Sequence, residues 1–106
     1  MPRSNIDYFV MDAIAFDKET FDEILAYLNE PDSEWRFRFE RLIQSFEVEA
    51  SLMRLVHEAA VDVILFDETQ QDYVSAGPGV WPKCLRAEMN FDLTGRGRVL
   101  YINWED

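Results

Sequence analysis

The residues that could carry catalytic chemistry in this sequence are one histidine, one cysteine and many carboxylates. His57 and Cys84 are each the only residue of their type, so neither a two-histidine metal pair nor a CxxC motif is present. Folding could join the two as a thiolate–imidazole pair. Because Cys84 stands at the start of a predicted strand, however, a small buried hydrophobe is its better interpretation. We also interpret His57 as a surface or packed residue.

The carboxylates show no catalytic or metal-binding spacing. "DETQQD" (67–72) resembles a fragment of a calcium loop, but it lacks the alternating acids, the glycine and the closing glutamate. Nothing marks one pair of acids as the pair that glycoside hydrolysis needs. "TGRG" (94–97) is not followed by the lysine of a phosphate-binding loop. We therefore predict a protein that is not an enzyme, with no metal and no cofactor.

The charge distribution indicates binding instead. The 106 residues include 21 Asp and Glu against 10 Lys and Arg, a net charge of -11. Residues 1–34 hold nine of these acids and two bases, whereas residues 35–58 hold four of each. Such a negative field attracts basic proteins and repels nucleic acid and acidic membranes. The alternative is that the acids only keep the protein soluble.

Length and composition predict one acidic α+β domain over residues 1–106. A content of 48% hydrophobic and 14% aromatic residues is typical of a folded chain. The opening "MPRSNIDYF" lacks the apolar run of a signal peptide. No apolar stretch reaches the length of about 18 residues that a membrane helix needs. With a single cysteine, these features predict a cytoplasmic protein without a membrane partner.

Hydrophobic periodicity predicts two helices before residue 31. The first has apolar residues at helical spacing over 6–14. The second is predicted to begin at Asp17 as N-cap, with Phe16 and Phe21 as a hydrophobic staple, and to end at Pro31.

A third helical region is predicted from Asp32 or Ser33 to Ala60. Residues 35–40 alternate and would also suit an edge strand, but helical spacing continues beyond them. A helix of this length is long for a small domain, so we expect a bend or break near Ser45–Glu49.

The last part of the sequence predicts a small antiparallel sheet. "VDVILF" (61–66) is β-branched and predicts a buried strand, although it could extend the preceding helix instead. Residues 73–82 predict a loop whose Trp81 packs back onto the core. Strands over 85–92 and 99–104, joined by a Gly95-Arg96 turn, predict a C-terminal β-hairpin that pairs Phe91 with Leu100. The predicted fold class is therefore α+β, with three to four N-terminal helices followed by a sheet that ends in this hairpin.

The favoured function is a protein-binding module, most simply an acidic inhibitor of the immunity type that blocks a basic protein. Immunity proteins against nuclease toxins and phage-encoded inhibitors are similar in size and charge, which is an analogy only. The candidate contact residues are acids of the predicted second helix and two aromatic anchors: Glu19, Asp22, Glu23, Glu30, Trp35 and Tyr101.

Two alternatives remain open at this point. A chaperone-like or structural homodimer would associate through the hairpin face, where Tyr101 is predicted to point outward, or through an edge strand. A winged-helix nucleic-acid binder would use the arginines at 36, 38 and 41 to contact DNA and those at 96 and 98 as its wing. The strong negative field of the first two helices opposes this second alternative.

Overall fold

The computed structural model describes residues 5–75 and 89–104 and confirms the α+β class. Within these residues five helices and a four-stranded antiparallel sheet are present, with a helix after the last strand. In chain order the elements are α1 (Asn5–Ala13), β1 (Glu19–Thr20), α2 (Phe21–Asn29), α3 (Glu34–Phe39), α4 (Ser45–His57), β2 (Val61–Asp67), β3 (Asp72–Ser75), β4 (Asn90–Leu93) and α5 (Gly95–Ile102). None of the described helices has both the length and the hydropathy that a membrane span requires.

The core lies between the helices and one face of the sheet. The strand order is β1-β4-β2-β3, and β4 pairs with both β1 and β2 through Phe91, which is opposite Glu19 and Val63. Helix α4 packs against α1, α2 and β2. The largest fully buried side chains come from all of these layers: Trp35, Phe9, Phe91, Met11, Ile14, Ile24, Leu28, Leu52, Leu55 and Met89.

Helix α2 begins at a capping box, three residues after the predicted N-cap. The Thr20 hydroxyl accepts a hydrogen bond from the Glu23 amide at 3.2 Å, and the Glu23 carboxylate accepts one from the Thr20 amide at 2.9 Å. The predicted cap at Asp17 is therefore wrong, and so is the staple, because Phe16 is 94% exposed. Thr20 satisfies two amide donors reciprocally with Glu23, whereas Asp17 has no acid or glutamine three residues later.

Replacing Thr20 with alanine is expected to lower the free energy of unfolding by about 1 kcal/mol, because it removes this cap. Thr20→Ser keeps the accepting hydroxyl and serves as the matched control. Urea denaturation followed by far-UV circular dichroism measures both variants. Equal stabilities for Thr20→Ala and the parent protein would contradict a stabilising role for the capping box.

The break in the third helical region lies at residues 40–44, earlier than predicted. Glu40 adopts the left-handed conformation, with φ of 53°, and ends α3. The Asn29 side chain then holds the next segment, because its Oδ1 accepts from the Ile43 amide at 2.7 Å and its Nδ2 donates to the Ile43 carbonyl at 3.0 Å. The break is thus fixed by a residue of α2, which helical periodicity within 35–60 could not indicate.

The predicted strand over 61–66 is confirmed as β2. The predicted loop over 73–82 is corrected at its start, because Asp72–Ser75 forms β3 and pairs with β2 through Phe66 and Tyr73. The six residues "DETQQD" overlap the ends of both strands and supply the turn between them. The position of Trp81 lies outside the described residues, as does that of Cys84.

The predicted C-terminal hairpin is wrong, because its second strand is helix α5. Thr94 is the N-cap of this helix, and its hydroxyl accepts a hydrogen bond from the Gly97 amide at 3.0 Å. Phe91 pairs with β1 and β2 rather than with Leu100. Residues 85–88 of the predicted first strand lie outside the described residues.

Gly97 is the point at which α5 meets the short segment between α4 and β2. A Cβ atom at this position would lie 2.0 Å from the Ala60 carbonyl oxygen, whereas a Cβ at Gly95 would meet nothing within 4 Å. Thr94 is bound to the same segment: its amide donates to the Ala60 carbonyl at 3.0 Å, and its hydroxyl donates to the Ala59 carbonyl at 2.6 Å. Glycine is therefore required at 97 for close approach of two backbones.

An ion pair between a buried carboxylate and a part-exposed arginine joins α1 to α4. Asp7 is 2% exposed, and one of its carboxylate oxygens accepts from the Ser51 hydroxyl at 2.8 Å and from Arg54 Nη2 at 2.7 Å. Its other oxygen accepts from Arg54 Nε at 3.4 Å. A carboxylate that leaves water needs such compensation, so these contacts explain why a charge is tolerated on the inner face of α1.

Candidate functional site

The strongest candidate for a functional site is the outer face of α2. Its inner face buries Ile24 and Leu28 in the core. At a helical period of 3.6 residues, the side chains on the opposite face share one surface. Five exposed residues form this α2 outer face: Asp22, Glu23, Ala26, Tyr27 and Glu30.

The carboxylates of this region outnumber the cations that could neutralise them. Residues 17–34 contain seven acids and one base, Lys18. The Nζ atom of Lys18 lies 3.9 Å from Oδ1 of Asp17. Within the described part of the chain, the carboxylates of Asp22 and Glu30 have neither an ion pair nor a hydrogen bond. The face therefore presents negative charge to solvent that internal contacts do not use.

Glu19 and Glu23 differ in how firmly they hold their charge. The hydrogen bond from the Thr20 amide to the Glu23 carboxylate, together with a smaller contribution from the Thr20 side chain, lowers the pKa of Glu23 below its ordinary value. Burial, followed by the charge of Glu23, raises the pKa of Glu19. Glu19 therefore loses its charge first as the pH falls. The stabilisation that comes from ionised Glu23 is present at neutral pH and is lost only as the pH drops through its lowered folded-state pKa.

Tyr27 is the one large aromatic side chain of the α2 outer face, and it is held in place. The residue is 43% exposed, and its hydroxyl donates to Asp12 Oδ2 at 3.1 Å. Burial and the neighbouring Asp12 raise its pKa, so it stays protonated and able to donate at neutral pH. A tyrosine fixed in one rotamer loses little conformational entropy on binding.

Tyr101 is not on an outward hairpin face. It lies on α5 and stacks on Tyr8 of α1, with ring centroids 5.3 Å apart and planes 22° apart. Its hydroxyl donates to Asp12 Oδ1. Burial and then this hydrogen bond raise its pKa. These contacts give Tyr101 a structural role that joins α5 to α1.

Trp35 lies in the core with 2% exposure. Its Nε1 donates to the Arg41 carbonyl at 3.0 Å, and its ring packs on Phe9 and Phe39. The structure thus brings Glu19, Asp22, Glu23 and Glu30 together on or beside α2, and places Trp35 and Tyr101 elsewhere. Sequence reasoning missed Tyr27, although its spacing of four from Glu23 could have placed it on the same face.

The arginines of and just after α3, and Arg98 of α5, make contacts within the protein. Arg36 Nη1 donates to the Asn29 carbonyl at 3.0 Å, at the end of α2. Arg41 makes two hydrogen bonds with Glu47, at 2.9 and 3.1 Å. Arg98 donates to the Ala15 carbonyl at 3.0 Å. Because the wing is replaced by α5 and α3 has only six residues, the geometry behind the winged-helix alternative is missing.

Among the described residues, no group of three His, Cys, Asp or Glu side chains could hold a metal ion. "DETQQD" is explained as a turn, in which Asp67 Oδ1 accepts from the Thr69 amide at 2.8 Å. His57 is exposed at the end of α4.

Comparison with protein-family models, with curated proteins and with solved structures found no match for this chain.

Proposed function

We propose that this protein is a non-enzymatic binding module whose α2 outer face binds a basic protein. One observation carries the proposal: exposed carboxylates without cationic partners among the described residues surround a fixed, part-exposed tyrosine. Within this surface the carboxylates would pair with lysine or arginine of the partner. Tyr27 and Ala26 would supply the apolar centre.

The physical behaviour of such an interface follows from its composition. Negative charge on the α2 outer face would steer a basic partner during diffusion and raise the association rate. Tyrosine is enriched among the residues that dominate binding energy, so Tyr27 is the expected anchor. The role that fits a domain of this size and charge is inhibition by occlusion, as immunity-type proteins do, in the cytoplasm that the sequence predicts.

A charge-neutral variant of the α2 outer face tests the proposal. A pull-down from nuclease-treated lysate of the source organism, released by salt and identified by mass, supplies the partner. The double variant Asp22→Asn/Glu30→Gln is expected to weaken its binding about tenfold, because each lost pair is worth a fraction of the ~1.4 kcal/mol that a tenfold change represents. Titration calorimetry at two salt concentrations measures the change.

The double variant Glu68→Gln/Asp72→Asn is the matched control, since it removes the same charge from the exposed β2–β3 turn. It is expected to bind as the parent protein does. Equal loss in both double variants would show that net charge alone matters. Binding that ignores both salt and the α2 variant would overturn the proposal.

Truncation of the anchor is expected to cost more. Tyr27→Ala should weaken binding about 30-fold, or ~2 kcal/mol, if Tyr27 is the central anchor. Tyr27→Phe keeps the ring and should lose much less. Surface plasmon resonance separates the rates, and the loss should appear mainly as faster dissociation. Equal affinities for the alanine and phenylalanine variants would exclude the ring as an anchor.

The chaperone-like homodimer was the alternative from the sequence. One of its two predicted surfaces was the hairpin face, whose second strand is helix α5 instead, and Tyr101 is engaged with Asp12 and Tyr8. The other predicted surface, an edge strand, has no exposed Tyr101 beside it. Self-association is instead supported by exposed residues of helix α4.

A further inference from the structure

Helix α4 carries a second apolar stripe, on the side away from the core. The buried side of α4 consists of Val48, Ser51, Leu52, Leu55 and Val56. Its exposed residues Phe46, Ala50, Met53 and His57 follow one another at spacings of four, three and four. Phe46 is 69% and Met53 42% exposed. This alternation of three and four places all four residues along one seam, as in the d and a positions of a two-stranded coiled coil.

The charges beside the seam match those of an identical parallel helix. Glu49 directly precedes Ala50 and occupies a g position, and Arg54 directly follows Met53 and occupies an e position. In a parallel pair, a g residue meets the e residue five positions later on the other helix. Glu49 and Arg54 are five positions apart, so two copies would form this ion pair twice. An antiparallel pair would instead set glutamate beside glutamate and arginine beside arginine.

Glu49 and Arg54 can both form this additional ion pair. Asp7 takes Nε and Nη2 of Arg54, and within the described residues Nη1 has no partner. The guanidinium side chain is 45% exposed. The Glu49 carboxylate likewise has neither an ion pair nor a hydrogen bond to another described residue. The intramolecular pair with Asp7 also fixes the arginine in place, which lowers the entropy lost when a partner binds.

The location of α4 suits a second copy of this acidic chain. Residues 35–58 contain as many bases as acids, four of each, whereas residues 1–34 contain nine acids and two bases. Two molecules with a net charge of -11 repel one another least where their surfaces are neutral. The exposed Phe37 and Leu42, in α3 and in the segment between α3 and α4, add apolar surface to this region.

We propose that two copies of this chain associate through α4, as a parallel pair in which Ala50 and Met53 each pack against their counterparts. Ala50 lets the two helices approach closely, and Glu49 of each copy pairs with Arg54 of the other. The surface is distinct from the α2 outer face, so the dimer does not depend on the function proposed above. Because the seam covers only about two heptads, the dimer is weak and its population depends on concentration.

Sedimentation velocity of the full chain over a range of concentrations tests this. The parent protein is expected to show a concentration-dependent dimer that strengthens with salt, because salt screens the repulsion between two acidic molecules. This salt response is the reverse of that expected for the α2 outer face. Met53→Lys should weaken the dimer by about 100-fold or more, since it buries an unpaired charge. Glu49→Arg should weaken it about tenfold by placing two cations together.

Ile102→Lys is the matched control, because Ile102 is 76% exposed on α5 and the same change there leaves the seam intact. It should dimerise as the parent protein does, and circular dichroism confirms that all variants are folded. A monomer at every concentration would overturn the proposal. So would a dimer that Ile102→Lys disrupts and Met53→Lys does not.

Discussion

Replacing Gly97 with alanine is expected to lower the free energy of unfolding by about 3 kcal/mol, because the new methyl group overpacks a backbone contact. The added Cβ would lie 2.0 Å from the Ala60 carbonyl oxygen and 2.9 Å from its carbon. Neither atom belongs to a flexible side chain that could rotate away. The segment between α4 and β2 and the start of α5 must therefore separate, which also stretches the hydrogen bonds from Thr94 to Ala59 and Ala60.

Gly95→Ala provides the matched control, in the same helix and two residues away. A Cβ at Gly95 meets nothing within 4 Å. Alanine is also a better helix former than glycine, so this variant is expected to be as stable as the parent protein or up to about 1 kcal/mol more stable. Urea denaturation gives both values. Similar stability changes for the two variants would show that Gly97 is not a point of close backbone contact.

Replacing Asp7 with alanine is expected to lower the free energy of unfolding by about 3 kcal/mol. Leaving a buried polar group without its hydrogen-bond partner costs about 1–3 kcal/mol, and the contacts of Asp7 with Arg54 are lost as well. Here the Ser51 hydroxyl, which is fully buried, would lose its acceptor. Arg54 is part-exposed and can turn to solvent, so the loss falls mainly on Ser51 and on the contact between α1 and α4.

A double-mutant cycle separates the energy of the Asp7–Ser51 hydrogen bond from the cost of the cavity that Asp7→Ala creates. Ser51→Ala alone leaves Asp7 paired with Arg54 and is expected to cost about 1 kcal/mol. In the Asp7→Ala background the same change should cost much less, since the hydroxyl no longer has a partner there. Asp17→Ala, at an exposed acid, controls for loss of charge. Additive stability changes would contradict direct coupling between Asp7 and Ser51.

The helical elements could largely be predicted from spacing, because amphipathic periodicity is a local property. The face of α1 that includes Phe9 and Val10 and the face of α2 that includes Ile24 and Leu28 are both buried as their patterns indicate. The start of α2 was misplaced because Asp17 and Thr20 are both common capping residues. Only the glutamate three residues after Thr20 distinguishes them, and this pairing was present in the sequence.

The prediction of a C-terminal hairpin was wrong for a reason that lies outside the local sequence. Leu100, Tyr101 and Trp104 are part-buried, and their spacing fits one helical face as well as it fits a strand. What decides the structure is the contact of Thr94 with Ala59, 35 positions earlier in the chain. No pattern within 94–104 contains that information.

The residues of the candidate site also divide into those that local spacing identifies and those that depend on contacts distant in sequence. Carboxylates at positions 22 and 30 could be assigned to one exposed helix face from their spacing alone. The anchoring of Tyr27 by Asp12 spans 15 positions and became visible only in the fold. Trp35 illustrates the opposite error, because an aromatic residue between charged neighbours was proposed as an anchor and is instead fully packed in the core.

The contacts between α1 and α5 have a consequence for how the protein folds. Tyr101 bonds to Asp12 across 89 positions, and Arg98 bonds to Ala15 across 83. The first strand also pairs with the last, through Glu19 and Phe91. Loops this long close slowly, because their entropy must be lost before the contacts form. During synthesis, the pairing of β4 with β1 and β2 and the docking of α5 must therefore wait until nearly all of the described chain has left the ribosome. Until then, the apolar surfaces of the first helices are protected from aggregation only by packing against one another.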